Sequence, residues 1–233
     1  MSRYQFINHL KQTLFLVMMV FMAFASSAQN ADDVLPSDCN HWTATISYDL
    51  SIPGNWKISG QSVKMFKSGS GVSVGADYMA LFGRRGFFFE PGARFFIDHY
   101  RYNGIKIGDG TAENPLRDFD PSVRMIGLRL PLTVGYKFDV FKRGSLYLST
   151  GPEPIVGFSA SVEVDEEDDK DLSDKNLYKS WMRRFDIAWD IRAAVIIDRI
   201  RIDLTGALGM LDINKDAASM HEYRLSVGLG YVF

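Results

Sequence analysis

Downstream of residue 41, apolar and polar residues alternate through long stretches separated by turn-forming segments. In the last stretch Tyr223, Leu225, Val227, Leu229, Tyr231 and Phe233 share one parity, while Arg224, Ser226, Gly228, Gly230 and Val232 share the other. Successive side chains of a strand point to opposite faces, so this period separates an apolar face from a polar one. The first stretch gives an apolar face of Trp42, Ala44, Ile46, Tyr48, Leu50 and Ile52. The fourth gives Ile126, Leu128, Leu130, Leu132, Val134, Tyr136, Phe138 and Val140, and the sixth Phe185, Ile187, Trp189, Ile191, Ala193, Val195 and Ile197.

The pattern predicts eight strands, over 42–52, 72–82, 87–102, 124–141, 145–163, 183–198, 199–212 and 222–233. Their connections alternate between long and short. Pro53 to Gly71, Asn103 to Ser122, Val164 to Met182 and Asp212 to His221 are long, whereas Gly83 to Gly86, Lys142 to Gly144 and Asp198-Arg199 are tight. Short periplasmic turns, long extracellular loops and an even strand number are features of outer-membrane barrels. The expected fold is therefore all-β, an eight-stranded antiparallel transmembrane β-barrel of the outer-membrane type, with both termini in the periplasm.

Alternation alone leaves the barrel free to be inside-out, because a soluble lipocalin-type barrel turns its apolar face inward. Composition orients it. The polar parity carries mostly Gly, Ser, Thr, Asp and Arg, and Lys137 is the one lysine placed on it. A water-facing surface would carry many lysines and glutamates, whereas small residues with Asp–Arg pairs suit a narrow lumen. Aromatics also gather near the strand ends. Phe82, Phe87, Phe89, Phe138, Phe141, Tyr147, Tyr231 and Phe233 lie by the short turns, and Tyr100, Tyr102, Phe158, Trp181, Phe185 and Tyr223 by the long loops. Two aromatic girdles at headgroup depth are expected. Pro91, Pro131, Pro152 and Pro154 fall inside predicted strands. Proline withholds a ladder donor, so a bulge or loosening is expected around the fifth strand.

The N-terminus reads as a secretory signal over residues 1–28, with Arg3 and Lys11, an apolar run from Thr13 to Ala25, and small residues Ser26-Ser27-Ala28 for cleavage before Gln29. Residues 29–41 then form a short periplasmic segment and 42–233 the barrel domain. Removing the signal leaves 24 basic against 28 acidic residues, a balance that argues against nucleic-acid binding. The lone Cys39 has no intramolecular disulfide partner and belongs to no Cys-based zinc pattern.

Leu128-Arg129-Leu130-Pro131-Leu132, Tyr136-Lys137-Phe138, Tyr147-Leu148-Ser149-Thr150-Gly151-Pro152 and Gly157-Phe158 together resemble the PorT-like outer-membrane β-barrel family, as does the closing Leu229-Gly230-Tyr231-Val232-Phe233. The resemblance spans 42–233. It implies an eight-stranded barrel in a Gram-negative outer membrane and an association with protein secretion.

Candidate chemistry lies mainly on the polar parity. Asp49, Asp77, Glu90, Asp98, Asp139, Glu153, Asp186, Asp190 and Asp203 are placed there against Arg94, Arg129, Lys137, Arg184, Arg192, Arg201 and Arg224. Such a set either lines an ion path or packs a small lumen with salt bridges. The near balance of sign and the narrowness of eight strands favour packing. The acidic run 163–174 lacks the spaced ligands and turn glycine of a calcium loop, so no metal site is assigned. His99, with Ser70 or Ser122, is the nearest approach to a catalytic set, and no spacing supports it. No catalytic residue and no cofactor are assigned. Lys57, Lys64, Lys67, Arg101 and Lys106 lie near the outer rim, within reach of lipopolysaccharide phosphates. The partners expected are outer-membrane lipid and lipopolysaccharide, the barrel-assembly machinery acting on the strand that ends at Phe233, and a secretion-apparatus or extracellular protein.

Overall fold

The computed structural model describes residues 39–58, 61–64, 66–82, 86–103, 105–107, 117–119, 122–141, 144–163, 176–179, 182–212 and 220–233. The signal region, most of the acidic run and Trp181 lie outside these residues. The strands are β1 His41–Pro53, β2 Trp56–Ile58, β3 Gln61–Val63, β4 Gly69–Phe82, β5 Phe87–Arg101, β6 Ile105–Ile107, β7 Arg117–Phe119, β8 Ser122–Arg129, β9 Leu132–Phe141, β10 Gly144–Glu163, β11 Phe185–Ile197, β12 Ile200–Gly209 and β13 Glu222–Val232.

Nine of these strands form one antiparallel sheet that closes on itself. β8 and β9 occupy the upper and lower halves of one position, each pairing with β5 on one side and β10 on the other, so the ring has eight positions. The first and last strands complete it, from Thr43↔Val232 to Pro53↔Glu222. Closure leaves no free edge strand. The tight Asp198-Arg199 turn holds Asp198 at φ 55°, a left-handed conformation that aspartate tolerates better than most side chains. Two short hairpins, β2–β3 and β6–β7, decorate the long-loop end; their runs are too short for the alternation to register.

The wall departs from expectation at the prolines. The fourth predicted strand is broken at Leu130-Pro131, while the fifth, β10, runs unbroken over 144–163. Pro152 and Pro154 keep register with β11, opposite Trp189 and Ile187. Their missing donors face the other way, at the β8–β9 break, where one bond remains, Leu130 N to the Pro154 carbonyl at 2.9 Å. The loosening foreseen for the fifth strand therefore falls chiefly on its neighbour. β10 carries one irregularity of its own, a register shift between Gly157 and Ser159.

The faces divide as the parity requires. Trp42, Tyr48, Val134, Phe138, Ile191, Leu225 and Leu229 are exposed on the outer wall, whereas Thr43, Ser47, Asp49, Arg129, Thr133, Asp190 and Arg192 are buried inside. Outer rings cluster at the short-turn end. Trp42 and Tyr78 lie 4.9 Å apart, Phe87 and Tyr136 5.0 Å, and Tyr231 and Phe233 5.1 Å. Tyr100 and Tyr147 leave the expected girdles. Both point into the lumen and are buried, because each has the inward parity of its strand.

Candidate functional site

Along its axis the lumen is filled in layers. At the short-turn end Met79, Phe88, Tyr147, Ala194, Ile196 and Val232 form a buried apolar plug, with the Phe88 and Tyr147 rings edge-on at 5.7 Å. At the long-loop end a second apolar cluster gathers Phe66, Tyr100, Val123, Ala160, Leu177, Tyr178, Met182 and Met220. A 3-10 turn, Leu177–Lys179, dips into the mouth to supply part of it. Gly157 makes that possible, since a Cβ at this position would overlap the Tyr178 ring. Burial raises the Tyr178 phenol above its ordinary value, so it stays neutral. Tyr100 donates its hydroxyl to the Glu222 carboxylate at 2.6 Å, tying β5 to β13 across the mouth.

Between the plugs lies an ionic layer. Arg129 donates to Asp49 at 2.5 Å and to Asp98, while its guanidinium rests 4.0 Å from the Phe96 ring centroid. Glu90 accepts from Arg192 at 2.5 Å and from both terminal nitrogens of Arg201 at 2.9 and 3.0 Å. Arg224 reaches Glu153 at 2.5 Å and Arg94 reaches Asp77 at 2.6 Å. Asp190 stands 3.8 Å from Arg192 and 3.9 Å from Arg224, and Asp203 stands 3.7 Å from Arg201. Space is tight here too: a Cβ at Gly228 would lie 2.6 Å from an Asp203 oxygen.

Most of these pairs join strands that are not neighbours. Glu90 on β5 meets β11 and β12, Arg129 on β8 meets β1, and Glu153 on β10 meets β13. They are struts across the bore, and charges this buried persist only when paired and hydrogen-bonded.

Of the residues singled out in the sequence, Asp49, Asp77, Glu90, Arg94, Asp98, Arg129, Glu153, Asp190, Arg192, Arg201, Asp203 and Arg224 are brought together in this layer. Lys137 is buried near the short-turn end, apart from the rest. Asp139 does not join them. It pairs with Lys137 at 3.0 Å but its side chain is 72% exposed, because β9 is ending and leaves the bore at that point. Asp186 is only half buried near the mouth, and Arg184 is exposed above Tyr178, 5.8 Å from its ring centroid. Ser70 lies directly opposite His99 on the outer wall, and Ser122 opposite Arg101. The carboxylate adjacent to His99 in sequence, Asp98, faces the lumen and cannot complete a catalytic set there.

The apolar plugs were missed in the sequence, although their signal is present. Met79, Phe88, Ile196 and Val232 are large apolar residues on the polar parity, close to strand ends. A lumen open to water would not place them there.

An ionic interior inside an apolar outer wall is the arrangement of a β-barrel that crosses a membrane. No family model matches the chain, and neither does any curated protein. Among solved structures it is similar to Neisserial surface protein A, with 15% identity, TM-score 0.40, and coverage of 82% of this chain and 97% of that one. It is similar to Ail, the attachment invasion locus protein of Yersinia pestis, at 16% identity, TM-score 0.38, and coverage of 84% and 99%. It is also similar to the outer membrane protein OprG from Pseudomonas aeruginosa, at 10% identity, TM-score 0.40, and coverage of 84% and 96%.

Proposed function

We propose that this chain is a sealed outer-membrane barrel that acts non-enzymatically, in envelope structure or surface interaction, through what it presents outside the cell. The observation that carries this reading is the filled bore, in which two apolar plugs enclose a layer of cross-lumen ion pairs. A conducted ion would have to part those pairs in a medium that strengthens them. With transport unavailable, the extracellular end is left to do the work. The resemblance to the PorT-like family supports an accessory role beside a secretion machine. The strand ending at Phe233, whose amide donates to the Trp42 carbonyl at 2.9 Å, would be the element engaged by the barrel-assembly machinery.

Single-channel recording in planar bilayers tests the reading directly. Reconstituted protein is expected to give no steady conductance. Stable unitary steps, abolished by Arg129→Ala or Glu90→Gln, would replace it with a pore whose charges line the path. Crosslinking in intact membranes followed by pull-down is expected to recover an envelope or secretion component.

A further inference from the structure

We propose that the cavity under the long-loop mouth is a binding site for one soft monovalent cation of the Cu(I) class, held by methionine thioethers.

Met125, Met182 and Met220 line this cavity together with Phe66, Tyr100 and Glu222. Each methionine comes from a different part of the chain. Met125 stands on the inward parity of β8, opposite Asp98 of β5 on one side and Ala160 of β10 on the other. Met182 follows the 3-10 turn, and its amide donates to the Leu177 carbonyl at 3.0 Å. Met220 precedes β13, where the neighbouring His221 carbonyl accepts from the Gly54 amide at 2.8 Å. Six methionines lie beyond residue 28, and three of them line this one cavity. Residues so far apart in sequence share no local period, so tertiary structure alone collects them.

Size points to a single atom. The cavity measures about 20 Å³, room for one ion or one water. Water would be poorly served there, since a buried water needs several polar partners. The polar side chains of the lining, Tyr100 and Glu222, already bond each other at 2.6 Å. Methionine is the side chain best able to fill a gap by changing rotamer. A void framed by three of them is therefore not a plain packing defect.

The donor set selects the ion. Thioether sulfur is soft and uncharged, and it suits Cu(I). Hard cations require several oxygens, and zinc takes thiolate, imidazole or carboxylate ligands. Among the described residues no three His, Cys, Asp or Glu side chains come together to hold a metal. His221 turns its ring toward Asp212, 3.6 Å away. Glu222 supplies the counter-charge. It bonds to the neutral Tyr100 hydroxyl, and Arg224, the next inward cation on β13, is engaged by Glu153 at 2.5 Å. One positive charge balances that carboxylate, and the Phe66 and Tyr100 rings can add cation–π attraction.

The test uses the full chain folded in detergent, with Ag(I) as a redox-inert probe of the same electronic class. Cys39 is exposed and its thiol would take Ag(I), so every protein carries Cys39→Ser. Each variant is first checked for the heat-dependent electrophoretic shift of a folded barrel. Isothermal titration calorimetry is expected to show saturation at a single Ag(I) per chain. Met182→Leu with Met220→Leu nearly conserves volume but removes two sulfurs. It should weaken binding by at least about a hundredfold, the upper range for loss of a mere outer-shell partner. Met79→Leu with Met210→Leu, one in the short-turn plug and one exposed, should leave binding unchanged. Cu(I) delivered anaerobically from a chromogenic chelator should displace Ag(I), whereas Zn(II) and Ca(II) should not. Equal binding by the Met182/Met220 variant and its parent would overturn the proposal. So would displacement of Ag(I) by Zn(II) as readily as by Cu(I).

Discussion

Arg129 illustrates what one residue does in this interior. Its guanidinium serves Asp49 on one side and Asp98 on the other, with Phe96 beneath. Arg129→Ala would leave two carboxylates buried without their partner. We expect a loss of about 3–5 kcal/mol in a urea titration of the barrel folded into lipid vesicles. Asp139→Ala is the contrast, because its ion pair with Lys137 is open to solvent on the aspartate side. That change should cost no more than about 1 kcal/mol in the same titration. The difference was not legible in the sequence. Both residues have the inward parity, and parity says which way a side chain points but not how far along the bore the wall still encloses it.

At the scale of the strand, the outer wall was readable because lipid and lumen demand opposite chemistries at alternate positions. Ile191, 58% exposed in the middle of β11, and Leu130, at the β8–β9 break, both lie on the outward parity. Substituting arginine at either should cost about 2–4 kcal/mol near the midplane, measured by folding into vesicles. Asn103→Arg, in an exposed loop, should cost little. The strand break was only half readable. Pro152 and Pro154 announce missing donors, but the sequence does not say which neighbour they deprive. The pairing does: they fit against β11 and starve the β8–β9 junction, where Pro131 withholds a donor of its own. Hydrogen exchange should accordingly find the Leu130 amide less protected than Leu128 and Val134 on either side. Equal protection along β8 and β9 would show that the wall is continuous there.

For the whole molecule, strand number, closure and orientation followed from alternation and loop length, while the apolar plugs and the dipping 3-10 turn did not. Plugging depends on which side chains meet at one height of the bore, and that is set by register among strands far apart in the chain. Ile196, Phe88 and Tyr147 meet only because β11, β5 and β10 are staggered as they are. Removing β13 should abolish the barrel rather than shorten it. β1 and β12 would each lose one of two partners and become open edges, and Glu153 would lose Arg224. A chain ending before Glu222 is expected to be fully degraded by protease in membranes, where the intact chain survives as a resistant core.

The struts across the bore also govern the order in which the protein can be made. Arg129 and Asp49 are separated by 80 positions in the chain, Arg192 and Glu90 by 102, and Arg201 and Glu90 by 111. Contacts of such separation form late, because a long loop must close before they reward it. Until the first and last strands meet, these charges need water, and an open sheet that entered the hydrocarbon early would carry them in unpaired. Insertion and neutralisation must therefore advance together. A half-zipped barrel is the least tolerable species on the route, and the final β1–β13 seam acts as a latch that turns a hydrated, reversible intermediate into a committed membrane protein.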